Sequence, residues 1–211
     1  MPIRIVAGLG NPGRGYAATR HNAGFWFVTR LAAKLGATFS RESKFAGDVA
    51  RAGALRLLMP ATFMNESGRA VAALARFYAV VPGDILVVHD ELDLKPGEVR
   101  LKEGGGHAGH NGLRDIDACL GSADFWRLRL GIGHPRDSDT PERDVVDYVL
   151  KPPSATERDA IDSAIERALG LWPDIAAGNM EVAMQSLHVR PRERAAPAAQ
   201  DDAAEPGEGD R

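Results

Sequence analysis

The sequence predicts a single α/β domain: a twisted, mostly parallel mixed β-sheet flanked by helices in a three-layer α/β/α arrangement. Short β-branched apolar runs alternate along the chain with longer segments of helical periodicity. Glycine- or turn-rich blocks follow those runs or open helices, which is where α/β domains place their sites. At 211 residues the chain can build one substantial core and does not need two. The folded domain is expected over residues 1–189. Residues 190–211, where Ala, Pro, Gly, Asp and Glu dominate, are expected to form a disordered acidic tail.

The opening run Ile3–Leu9 reads as a buried strand broken by Gly8, Gly10 and Gly13. Phe25, Val28, Leu31, Ala32 and Leu35 predict a helix from Asn22 to Leu35, stopped by Gly36. Val49–Ala52 and Leu55–Met59 predict a hairpin that ends at Pro60. Ser67 is a candidate cap for a helix over Gly68–Tyr78. Pro82-Gly83 is a turn, and Ile85–Val88 reads as a central strand. Val99–Leu101 and Arg127–Ile132 read as further strands, with glycine-rich Gly104–Gly112 and a helix from near Leu113 between them. Thr140-Pro141-Glu142 is a helix start, another helix begins near Thr156, and Pro173 should end or kink it. Asn179–His188 is the last helix expected.

Composition narrows the class. A lone cysteine, Cys119, excludes an intrachain disulfide framework and fits a reducing compartment, and its place on an apolar helix face suggests packing. No apolar run approaches the roughly 20 residues that span a bilayer, and the N-terminus reads as a strand rather than a signal peptide. A cytoplasmic protein with no membrane association is therefore expected. The net charge of −3 is unevenly spread, because from Pro191 onward three arginines face six acids. The tail accounts for the whole imbalance, and the neutral body can still carry a local basic patch for phosphates.

Four blocks could carry chemistry. Gly8-Leu9-Gly10-Asn11-Pro12-Gly13 matches the dinucleotide pattern G-x-G-x-x-G after a strand. Pro12 interrupts that turn, however, and the helix does not start within it as a pyrophosphate site requires. Arg14-Gly15 also stands where a P-loop needs Lys-Ser/Thr. The second block, Thr19-Arg20-His21-Asn22, opens the first long helix, and His21 taken alone reads as a surface or capping residue. The third, Phe63-Met64-Asn65-Glu66-Ser67-Gly68, leaves Asn65 free for a ligand if Ser67 caps the next helix. The fourth, His89-Asp90-Glu91-Leu92-Asp93, ends an apolar strand; Asp90 is the candidate acid, while Glu91 and Asp93 read as a solvated turn. A metal site from Asp90, Asp93 and His107 or His110 is the alternative, though the histidine spacing is not that of a helical zinc motif. A serine nucleophile is disfavoured, since no G-x-S-x-G elbow is present.

Together and in order, the blocks include Gly-Leu-Gly-Asn-Pro-Gly, Tyr16, Thr-Arg-His-Asn-x-Gly-Phe and Phe-Met-Asn-x-Ser-Gly. Then come His-Asp-Glu-Leu-Asp, Gly-Gly-Gly-His-x-Gly-His-Asn-Gly-Leu-Arg and Arg-Leu-Arg-Leu-Gly-Ile-Gly-His-Pro. Over about residues 3 to 188 this closely resembles the bacterial peptidyl-tRNA hydrolase family, most loosely across Leu171–Leu187. The resemblance implies an enzyme of translation and ribosome rescue, cleaving the ester between a peptide, or N-blocked amino acid, and the 3′-terminal ribose of tRNA. It implies no cofactor, no metal, no obligate protein partner and a monomer, with peptidyl-tRNA as the partner. His21 matches the catalytic histidine, Asp90 its acid partner, and Asn11 the asparagine that contacts the substrate near the ester. Asn65 and Asn111 match substrate-binding asparagines, with Tyr16, Phe63, Met64 and His110 beside them; Lys102 and Arg129 match the basic residues that clamp a tRNA phosphate. The chain departs from the family's pattern at none of these positions. A catalytically silent RNA-binding relative and a metal-dependent hydrolase are the alternatives.

Residue chemistry agrees with that assignment. A histidine titrates near neutrality and can take a proton from water, while a carboxylate on its other nitrogen fixes the tautomer. Asparagine amides can position a peptide unit or donate to an oxyanion. Between Lys95 and Arg129 six bases mingle with five acids. Lys102 and Arg129 are expected on one side, with N–H groups of the Gly104–Gly106 turn nearby; a solvated strand face is the alternative.

Overall fold

The computed structural model describes residues 1–137 and 144–188. The helix start at 140–142 and the tail from 190 fall outside those residues. Strands β1 (Ile5–Gly8), β2 (Ser40–Glu42), β3 (Gly47–Ala52), β4 (Leu55–Pro60), β5 (Ile85–Glu91), β6 (Val99–Glu103) and β7 (Trp126–Gly131) form one seven-stranded sheet, ordered β2-β3-β4-β1-β5-β7-β6. The central strands β4, β1, β5 and β7 are parallel; β3 runs antiparallel to β4, β2 to β3 and β6 to β7. The helices are α1 (Ala23–Lys34), α2 (Ser67–Tyr78), α3 (Asn111–Leu120), α4 (Val145–Val149), α5 (Ala155–Gly170), α6 (Trp172–Ala177) and α7 (Met180–His188).

Strand alternation sorts the core into two layers. Val6, Leu86, Val88, Leu128 and Leu130 pack with Phe27, Val28 and Leu31 of α1 and Ile161, Ile165 and Ala168 of α5. Ile5, Ala7, Ile85 and Val87 face the other way, against Val71 and Leu74 of α2 and Leu113 and Ile116 of α3. Sheet strands covered on both faces read as continuous apolar runs, which is why β1 and β5 are legible in the sequence. No helix among the described residues is long and apolar enough to cross a membrane.

Topology then sets the crevice. The chain leaves β1 through α1 toward β4, and returns through α2 on the opposite face to β5. Such a reversal opens a cleft outside the carboxyl ends of the strands where it occurs, here β1 and β5.

Two local expectations change, and one strand is new. Ser67 does not cap α2; it is the helix's first residue, fully buried, and its hydroxyl donates to the Met64 carbonyl. The Gly68 N–H is satisfied instead by Asp115 of α3, at 2.7 Å. Helix α3 begins at Asn111 rather than near Leu113, because His110 supplies its cap. Strand β2, three largely exposed residues, carries no apolar pattern to betray it. Pro173 falls in the first turn of α6, so α5 ends before it, as its ring requires.

Candidate active site

Two glycines decide how α1 meets the sheet. A Cβ on Gly24 would collide with the Val88 carbonyl and the Leu9 backbone, and one on Gly8 with the Gly24 carbonyl. Their absence lets the start of α1 press onto the ends of β1 and β5. Gly8 thus serves helix–sheet contact, and the Gly10 Cα lies under the Phe25 ring. The 3₁₀ turn Arg20–Asn22 precedes α1 and carries His21 over the end of β5.

There Asp90, 3% exposed, receives two imidazoles. His21 Nδ1 lies 2.9 Å from both Asp90 oxygens, and His110 Nε2 lies 3.1 Å from Oδ1. His110 Nδ1 accepts from the Leu113 N–H as the cap of α3, so its proton sits on Nε2, facing the carboxylate. His21 likewise donates through Nδ1 and keeps the Nε2 lone pair as a base. Burial alone would depress His21, but the charge and hydrogen bond of Asp90 outweigh it and raise its pKa above 6.5. Burial opposes ionisation of Asp90 too, yet the two histidines hold it well below the usual carboxylate range.

A third histidine lies behind them. His89 is buried, donates Nδ1–H to the Asp90 carbonyl at 2.7 Å, and stacks edge-on to His110 with centroids 5.0 Å apart. Burial first, then the neighbouring His110, pushes its pKa down to about 3, so it stays neutral. Among the described residues, only His21, Asp90 and His110 group as possible metal ligands, their atoms within 4.8 Å of one another. Asp93, expected as a candidate ligand, is exposed and faces Arg136 at 3.6 Å.

Asn11 is locked with equal care. The Asn22 side chain accepts from the Asn11 N–H and donates to its carbonyl, both at 2.9 Å. Asn11 Oδ1 accepts the Met64 N–H at 2.8 Å, which leaves its Nδ2 as the available donor. A cleft of about 350 Å³ is lined by His21, Asp90, His110 and Asn111, with Val145, Val146 and Val149 of α4 as an apolar wall. Asn65 and Phe63 are exposed in the turn before α2, and Tyr16 meets Phe63 edge-on at 6.4 Å. The Met64 side chain is buried at 4% and packs against Gly112 rather than opening to solvent.

On the β6–β7 ribbon, Arg100 stands opposite Arg129 and Lys102 opposite Arg127, so all four side chains leave one face. Lys102 and Arg129 thus share a side, as expected. Glu91 is no solvated turn residue: it ends β5, is 8% exposed, and binds Arg129 Nε at 2.8 Å. Sequence reading also missed Arg20. Its guanidinium reaches the carbonyls of Tyr148, Lys151 and Pro152 and the carboxylate of Glu157, tying the His21 turn to α4 and α5. Its only signal was adjacency to His21.

Fold and site together define a class: an α/β hydrolase whose candidate base is a histidine oriented by a strand-end carboxylate. A family model described as peptidyl-tRNA hydrolase matches residues 5–196. Peptidyl-tRNA hydrolase from Thiobacillus denitrificans is 58% identical over 190 residues, covering 90% of this chain and 92% of that one. The Neisseria gonorrhoeae enzyme of that name is 57% identical, covering 88% and 97%. The crystal structure of Acinetobacter baumannii peptidyl-tRNA hydrolase superposes with a TM-score of 0.82 at 46% identity, covering 88% and 94%. The chain belongs to the peptidyl-tRNA hydrolase family.

Proposed function

We propose that this chain hydrolyses the ester joining a peptide, or an N-blocked amino acid, to the 3′-terminal ribose of tRNA, and so returns tRNA to translation. The observation that carries the reading is His21 held by both oxygens of a buried Asp90, with Nε2 left basic beside the cleft. His21 Nε2 takes a proton from water as the oxygen attacks the ester carbonyl. The Asn11 Nδ2 donor, with Asn65 and Asn111, supplies the candidates to hold the peptide unit and the developing oxyanion. When the intermediate collapses, the His21 imidazolium returns the proton to the departing ribose oxygen. Asp90 stays ionised throughout and stabilises the imidazolium.

An unblocked aminoacyl group lacks the acylated nitrogen, so groups placed for it would be left unpaired, which is where discrimination is expected. Tyr16, Phe63, Met64 and His110 frame the substrate in this reading, and Lys102 and Arg129 take a phosphate. It requires no cofactor, no metal and no protein partner, and a cytoplasmic monomer suffices. A silent RNA-binding relative is disfavoured by the intact set of His21, Asp90 and Asn11.

The test is release of free tRNA from N-acetyl-aminoacyl-tRNA. His21→Ala should lower kcat by about 10²–10⁴-fold, the usual worth of a general base, while tRNA binding persists. Turnover retained in that variant would remove His21 as the base.

A further inference from the structure

Arg127 is a buried cation that the catalytic geometry does not use. It is 3% exposed, stands opposite Lys102 and lies 4.8 Å from the centre of the Phe125 ring. Its guanidinium donates to the carbonyl of Gly106 at 2.7 Å and to that of Gly105, and its Nε is buried without a partner. No salt bridge neutralises it among the described residues; the two carbonyls bind it directly, while the charges of Asp117 and Glu91 offset part of its burial. Such burial is uncommon for arginine, which is seldom fully buried unless paired.

The consequence follows from peptide geometry. In a trans peptide the C=O and the following N–H point in opposite directions. With the carbonyls of Gly105 and Gly106 drawn toward Arg127, the N–H groups of Gly106 and His107 are turned away from it. Neither N–H has a partner among the described residues. The backbone reaches this shape through φ of +57° at Gly104 and +95° at Gly105, values open to glycine. Lys102 Nζ lies against the same turn, 2.8 Å from where a Gly105 Cβ would stand. Successive free N–H groups beside an ammonium make an anion-binding concavity.

We infer that Arg127 is a positioning residue, whose grip on two glycine carbonyls aims the Gly106 and His107 N–H groups, with Lys102, at an RNA phosphate. That the anion belongs to RNA rests on the function proposed above; the cradle itself does not. A terminal monoester and a backbone phosphodiester share the required oxygens, and the substrate arms below separate them.

The experiment has two readouts. In the first, amide resonances of Gly106 and His107 are followed as inorganic phosphate is added. They should shift in the wild type and stay in place in Arg127→Ala; equal shifts in both would overturn the inference. In the second, KM and kcat are measured on N-acetyl-aminoacyl-tRNA. Arg127→Ala should raise KM about tenfold, the worth of one or two charge-assisted hydrogen bonds, with kcat nearly kept. Arg127→Lys should recover part of the loss. A fall in kcat at unchanged KM would mean a merely structural arginine. If the KM effect disappears on tRNA with a 5′-hydroxyl, the phosphate is the terminal one; if it persists, an internal one. Should Arg127→Ala not fold, Gly105→Ala displaces Lys102 and the turn without touching the core, and the same KM rise is expected. If the wild type fails to cleave blocked tRNA, the proposed function falls, while the phosphate titration still decides the cradle.

Discussion

Asp90 answers to two histidines with different duties. His110 is committed on both nitrogens, to Leu113 and to Asp90, so it fixes the carboxylate and the start of α3 together. His21 is committed on one, and its remaining nitrogen is the reactive one. The pH profile should report this difference. A free-enzyme base with a pKa raised above 6.5 gives kcat/KM an acid limb at that raised value, since protonated His21 cannot accept from water. In Asp90→Asn the charge that raises it is gone and the burial that lowers it remains. The limb should therefore move to lower pH while the plateau drops by as much as about 10⁴-fold, the scale known for removing a triad carboxylate. A limb that stays in place would mean another group titrates.

Between elements, the decisive contact is the absence of two side chains where α1 meets β1 and β5. Gly24→Ala puts a methyl group into the Val88 carbonyl and the Leu9 backbone, so the start of α1 must lift and carry His21 from Asp90. Overpacking of this kind costs about 1–3 kcal/mol, and a shift near 1 Å in a reacting group can cost about 10²-fold. The expected outcome is a lowered Tm and a larger loss in kcat/KM than in substrate affinity; wild-type turnover in Gly24→Ala would show that the close approach does not set the pair. The sequence reveals α1 through periodicity, and it places glycine in the first turn. It does not reveal what each glycine is for, because the nearest partner atom of Gly24, the Val88 carbonyl, belongs to β5, far along the chain. Buried charges escape reading for the same reason. Arg20 meets Glu157 across 137 positions and Glu91 meets Arg129 across 38, and until the fold joins them each looks like a solvated side chain. The four site blocks are legible because their residues cluster at strand ends, where local sequence and function coincide.

For the molecule as a whole, the buried Asp90 and His21 meet at the strand ends beside the cleft, and the pair should imprint itself on stability. His21 has a raised folded pKa, so its contribution is fully present below 6.5 and is lost as pH rises through the raised value. Asp90 has a lowered one, so its contribution is present above 3.8 and is lost as pH falls through the lowered value. The His21–Asp90 interaction enters both statements and is counted once, and His110 adds to the Asp90 side alone. The stability advantage of wild type over Asp90→Asn should therefore be greatest between about pH 4 and 6.5 and shrink on either side. A tenfold change in proton affinity on folding is worth about 1.4 kcal/mol, or roughly 3–6 °C in a domain of this size. Asparagine keeps the shape and a donor–acceptor group at the site, and comparing the two proteins at each pH cancels the other carboxylates. Thermal melts of both proteins from about pH 3 to 9 give the difference curve directly, spanning both limbs of the window. A peaked curve is the expected result, and a flat one would mean that the pair holds His21 for chemistry without contributing to the fold.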